Sequence, residues 1–274
     1  MRKGIHLDKT AISGQYYRIP TPFRDGLRVI KNETIWNASS ASWHSRRNIR
    51  KLKGLHRGDK AVICCNGPSL NKVDFDLLNG KFCFGLNKIH LLFDRTDWRP
   101  SAIVAVNPLV IEQTSEIYRQ TTLPVFLGKS GIPLVGCLRH VAYLHSSGSQ
   151  YFSLDPSISI WEGFTVTFVA LQLAYYMGFS SVALVGCDHS FADKGAAGSL
   201  VKTKEQDNNH FSPDYFGKNV QWHLPDLEGS EFAYRLARDA FQADGRTVYN
   251  CTEGGFLEVF ERISLECFLD PSVL

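Results

Sequence analysis

Several things are absent from this 274-residue chain, and each absence excludes a class. No run approaches the ~20 consecutive apolar residues of a membrane span. The opening MRKGIHLDKT has no apolar h-region, so a signal peptide is not expected. Seven cysteines are scattered without a CxxC pair or finger spacing, and Cys64, Cys65, Cys83 and Cys187 sit in apolar surroundings. That is the pattern of reduced thiols in a cytosol. There is no GxSxG elbow, no Cys/His nucleophile signature and no cluster with metal-ligand spacing. Neither GxGxxG nor GxxxxGK[ST] occurs, which argues against the standard dinucleotide and Walker sites. No internal repeat at solenoid spacing is found.

Acidic residues are scarce early in the chain. Residues 1–60 hold 14 Lys and Arg against 4 Asp and Glu; the remainder holds 16 against 23. The excess concentrates at Arg46, Arg47, Arg50, Lys51, Lys53 and Arg57. A solvated helix face is one reading; an anionic membrane surface or charged glycan is the other. Nucleic acid is disfavoured, because no aromatic interleaving or recognition motif accompanies the cluster. These observations lead to an expected cytoplasmic, at most membrane-peripheral, protein with a basic N-terminal extension (residues 1–57) and one domain (58–274).

What is present is a set of short apolar runs, each stopped by turn residues. In AVICCNGPSL, Ala61–Cys65 is unbroken by polar residues, as in a strand buried on both faces of a parallel sheet. Asn66-Gly67-Pro68-Ser69 ends it: Gly67 permits close approach, and Pro68 suits a helix start. Lys81–Leu86 ends in Asn87, and Ser101–Val106 ends in Asn107. In a parallel sheet the Asn66, Asn87 and Asn107 amides would gather at one C-terminal edge, where such folds bind ligands. Amides suit a nucleobase or ribose, although any single Asn is also a turn former. Pro124–Leu127 reads as a fourth strand, and a further one is expected near Gln150–Ser153. One helix is expected over Thr34–Leu55 and a buried one over Gly163–Phe179, with Thr165 and Thr167 in its first turn, a ready anion site. Ser181–Val185 follows as a strand leading to Gly186 and Asp188, then a polar segment over 192–225 read as a lid, a helix over Glu231–Phe241 and a strand over Thr247–Asn250. The fold expected is α/β, a Rossmann-like, mostly parallel sheet with flanking helices.

An anion-friendly helix start, an amide-rich strand edge and a loop carrying His210 suit transfer from a nucleotide-activated donor, which needs leaving-phosphate stabilisation and a base. At this point the ordered set Asn66-Gly67-Pro68-Ser69, Asn87, Asn107-Pro108, Thr165 to Asp188 and Asp207-Asn208-Asn209-His210-Phe211 resembles the bacterial sialyltransferases of glycosyltransferase family 42. The strings EGFTVTFVALQLAYYMGFSSVALVGCD and WHLPDLEGSEFAYRLARDAFQADGRTVYN are more similar still to the DUF115 family, which includes motility-associated factors and MptE-type 6-hydroxymethylpterin diphosphokinases.

The resemblance implies that Asn66, Gly67, Pro68 and Ser69 hold phosphates and ribose, that Asn87 and Asn107 contact nucleotide or donor sugar, that Thr165 and Thr167 lie near the phosphate, and that Gly186 belongs to the nucleotide site. It implies that Asp188 contacts the cytidine side and that His210 is the base, in a lid with Asn208, Asn209, Phe211 and Tyr215. His189 and Ser190 stand where the sialyltransferases carry tyrosines. The expected function is transfer of a nonulosonic acid from a CMP-sugar, the substrate, to a glycan or glycoprotein, with no obligatory cofactor or metal. The alternatives are a pterin pyrophosphokinase using ATP and Mg²⁺, and a non-catalytic nucleotide-binding module in glycan assembly.

Overall fold

The computed structural model describes residues 22–193, 195–203 and 206–270, with side chains from Gly26 onward except at position 28. The first 21 residues of the basic extension, and Lys194, Lys204 and Glu205 of the 192–225 segment, lie outside the described residues. In chain order the elements are α1 (Pro22–Ala38), α2 (Ser40–Arg50), β1 (Lys60–Cys64), β2 (Phe82–Leu86), β3 (Ala102–Ala105), α3 (Pro108–Gln120), β4 (Val125–Gly128), α4 (Ile132–Val135) and β5 (Val141–Leu144). Then come α5 (Val166–Met177), β6 (Ser181–Val185), β7 (Leu200–Lys202), β8 (Gln221–His223), α6 (Leu227–Ala243), β9 (Thr247–Asn250), β10 (Glu261–Arg262) and α7 (Leu265–Leu269).

Eight strands form one parallel sheet in the order β10-β9-β6-β1-β2-β3-β4-β5. Its central strands are apolar after their first residue, as Lys60 opens β1 and Ser181 opens β6, because both faces are covered. Ala61 and Ile63 point to one core layer with α5, and Val62 and Cys64 to the other. Helix α5 is apolar around nearly its full circumference, with ten of its twelve residues buried, and Gly178 ends it in a left-handed cap (φ 96°). The α/β, Rossmann-like class expected from the strand–turn rhythm is the one found.

Three local expectations are corrected. The helix over Thr34–Leu55 is two helices, because Ser39 takes an extended conformation and its hydroxyl accepts from Ser42 N–H (3.1 Å), starting a new helix. Gln150–Ser153 is not a strand; the edge strand is Val141–Leu144, which α2 covers through Ile49 and a Tyr143 N–H to Ser45 Oγ bond of 2.8 Å. Helix α6 begins at Leu227, where the Asp226 carboxylate accepts from Gly229 N–H (2.8 Å).

Candidate functional site

Strands β2 to β5 lie on one side of β1, and β6 lies on the other. The C-terminal ends of β1 and β6 therefore flank the point where strand order reverses, the usual ligand crevice of an open α/β sheet. Here the loops after the two strands stay joined: Cys65 N–H donates to Val185 O (2.9 Å) and Gly67 N–H to Gly186 O (2.8 Å). Ser69 then reaches across, donating through its hydroxyl to Asp188 Oδ2 (2.6 Å) and through its N–H to both carboxylate oxygens (3.2 Å each). A Cβ at Gly67 would overlap that carboxylate, so glycine is required there. Phe256 N–H donates to Asp188 O (2.8 Å), fixing this loop from behind.

The start of α5 forms the next wall. Thr165 is its N-cap rather than part of its first turn, and its hydroxyl accepts from Thr167 N–H (3.3 Å). Thr167 Oγ1 lies 3.5 Å from Cys65 Sγ, and Tyr234 Oη lies 3.4 Å from Thr165 Oγ1 and 3.8 Å from Cys187 Sγ. The hydrogen bond to Cys187, together with burial, pushes the Cys65 thiol well up, and burial does the same for Tyr234. Cys65 thus lines the crevice as a neutral thiol, not as a nucleophile.

The last wall comes from residues 207–210. His210 Nδ1 donates to Asp207 Oδ2 (2.8 Å), and Asp207 Oδ1 accepts from Asn209 N–H (2.8 Å). The His210 ring stacks on Tyr215 at 3.9 Å and 1°, with Phe191, Phe216 and Trp222 around it. The Asp207 carboxylate fixes the tautomer, leaving Nε2 as the nitrogen that can accept a proton. This segment is docked, not loose. Phe211 N–H donates to Asn66 O (3.0 Å), Asn71 Nδ2 to Phe211 O (2.8 Å) and Lys88 Nζ to Tyr215 O (2.7 Å). Burial lowers Lys88 to about 8, an effect the Asp207 charge opposes.

Of the residues singled out in the sequence, Asn66, Gly67, Asn87, Thr165, Thr167, Gly186, Asp188, Asn209 and His210 line the one crevice. The Asn66 and Asn87 side-chain oxygens are buried there without a hydrogen-bond partner. Asn107 is not with them: its oxygen caps α3, accepting from Leu109 N–H (2.9 Å) and Val110 N–H (3.4 Å). The three amides therefore do not gather. Pro68 and Ser69 form the turn behind the wall, Asn208 is exposed, and Phe211 and Tyr215 are buried clamps. Asn209 is also structural, accepting from Ala192 N–H (2.6 Å) and donating to Asp193 (2.7 Å).

The sequence places Asp207 in the lid string three residues before His210 but gives it no role of its own; the structure makes it the partner of His210. Sequence reasoning passed over Lys88 and Tyr234, which nothing in the sequence marks. His189 lines the crevice too, donating from Nε2 to Glu231 (3.2 Å). Asn87, Phe164 and His189 all hold positive φ (48°, 64° and 54°), so strained backbone clusters at this crevice. Among the described residues no group of three or more His, Cys, Asp or Glu side chains is placed to hold a metal ion.

The model of the 6-hydroxymethylpterin diphosphokinase MptE-like family matches residues 35–194. No curated protein matches. Among solved structures, the MAf glycosyltransferase from Magnetospirillum magneticum AMB-1 is similar, with 13% identity and a TM-score of 0.49 over 82% of this chain. The match covers 39% of that protein, so the chain spans well under half its length.

Proposed function

The chain belongs to the 6-hydroxymethylpterin diphosphokinase MptE-like family, and from that premise we propose that it is a transferase moving a group from a nucleotide donor to an acceptor hydroxyl. The donor in this reading is a CMP-activated nonulosonic acid and the acceptor a glycan or glycoprotein. The observation that carries the reading is the Asp207–His210 pair in the crevice between β1 and β6.

A hydroxyl attacks well only as its proton leaves, and in this reading His210 Nε2 accepts it. Asp207 stabilises the imidazolium that forms. As the acceptor oxygen bonds to the anomeric carbon, the bond from that carbon to the donor phosphate breaks and its electron pair stays on CMP. The positive end of α5, beside Thr165 and Thr167, supports that anion. Asn66 and Asn87 offer unpaired amide oxygens to base or ribose donors.

The family description favours a second reading, diphosphoryl transfer from ATP to a pterin alcohol. Magnesium usually takes one or two carboxylates with phosphates and water. Asp188, on the crevice wall, keeps lone pairs beyond those that Ser69 occupies, so these residues fit such an ion. When bound, Mg²⁺ would neutralise charge on the phosphates.

Incubation with a CMP-nonulosonic acid plus glycan, or with ATP, Mg²⁺ and 6-hydroxymethylpterin, separates the readings. CMP release is expected, and His210→Ala should lower it ~10²–10⁴-fold with donor affinity little changed. AMP release with pterin diphosphate formation would establish the second reading instead. Nucleotide binding without any turnover would leave a non-catalytic module, and near wild-type turnover by His210→Ala would remove it as the base.

A further inference from the structure

We propose that α1, α2 and the turn after them form a surface that rests on an anionic lipid bilayer. Helix α2 has two faces of opposite character. Ala41, Ser42, Ser45 and Ile49 are buried against the edge of the sheet. Trp43, Arg47 and Arg50 recur at i, i+4 and i+7 and share the outward, exposed face, with Arg46 half-buried at its margin. Trp43 is 67% exposed, its indole N–H donating to Asn37 O (2.8 Å) at the end of α1, and Arg46 donates to Asn37 Oδ1 (2.6 Å). Lys51, Lys53, Leu55 and Arg57 continue the exposed surface beyond the helix.

Helix α1 adds apolar side chains that nothing described covers: Leu27 and Ile30, one turn apart on one face, are 69% and 63% exposed. Residues 26–57 contain eight Lys and Arg and one acidic residue, Glu33. That carboxylate is already bonded to His145 Nε2 (2.5 Å).

The combination selects the occupant. A charged glycan or nucleic acid would satisfy the arginines and leave Leu27, Ile30 and Trp43 in water. A second copy of this chain, packed about a two-fold axis, would set like charges face to face. An anionic bilayer meets both requirements, with phosphates for the cations and an acyl boundary for the apolar side chains and the indole. No described helix is long and apolar enough to cross a membrane, so the surface lies on the bilayer.

The test is co-sedimentation of the full chain with phosphatidylcholine vesicles, with or without phosphatidylglycerol. Partition onto the anionic vesicles should be at least ~10-fold greater and fall as salt rises. Arg47→Gln/Arg50→Gln and Leu27→Asn/Ile30→Asn should each lower it ~10-fold, with melting temperature and nucleotide binding unchanged, because these side chains are exposed. Equal or absent partition onto both vesicle types would overturn the proposal. So would a concentration-dependent dimer that Leu27→Asn/Ile30→Asn abolishes, which would assign the face to a second copy.

Discussion

Gly67 is a glycine because of Asp188, not because of its own backbone, whose φ of −70° and ψ of 163° any residue adopts. The Ser69 hydroxyl and N–H hold the carboxylate, and Gly186 O stands on the other side at 2.8 Å from where a Cβ would sit. Gly67→Ala should therefore force the loop apart, costing ~1–3 kcal/mol as overpacking does, and weaken nucleotide binding. Gly148, where an added Cβ meets nothing, is the control, and Gly148→Ala should stay within ~0.5 kcal/mol. Chemical denaturation of the two variants decides the matter, and equal midpoints would refute the close-approach account.

Lys88 gives a second residue-scale prediction. Its pKa is lowered to about 8 by burial, whereas in the unfolded chain it titrates near 10.5. Below pH 8 both states are protonated and burial of the charge costs stability in full. Between about 8 and 10.5 the unfolded state holds more protons, so stability relative to a Lys88→Met variant should rise by on the order of 1–3 kcal/mol. A stability difference between the two proteins that stays flat across that window would show that the ammonium is not desolvated.

At the scale of elements, the segment expected to act as a lid divides in two. Residues 195–202 are largely exposed and carry β7, whereas Phe211, Tyr215, Phe216, Trp222 and Leu224 belong to the core. Protease should cut the first part at the same rate with or without nucleotide. Asn71→Ala, which removes the bond to Phe211 O, should expose residues 207–216 to cleavage and weaken nucleotide binding several-fold. Unchanged cleavage in that variant would mean the clamp is held elsewhere.

The strands readable in the sequence were those whose apolar runs end in turn residues, such as Ala61–Cys65 before Asn66-Gly67 and Ser181–Val185 before Gly186. Val141–Leu144 escaped because its cover comes from α2, some 90 residues earlier, so nothing beside it in the sequence marks it as buried. Asn107 misled for a physical reason. Asn followed by Pro is also the signature of a helix cap and first turn, and local capping took the amide. The Asp207–His210 contact depends on how the chain folds back over Asn66, which no periodicity reports.

For the whole molecule, the parallel topology has a temporal side. Strands β1 to β5 are laid down in order, each beside its predecessor. Only α5 carries the chain back to place β6 against the other edge of β1, and Ser69 meets Asp188 across 119 residues. Long-range closures of this kind slow folding more than they change final stability. As the ribosome extends the chain, β1 waits with one edge unpaired until β6 has emerged. The β1–β6 seam at the crevice thus closes only after β2 to β5 are in place, with β9 and β10 still to add outside β6, and until it closes the same edge is a site for wrong pairing.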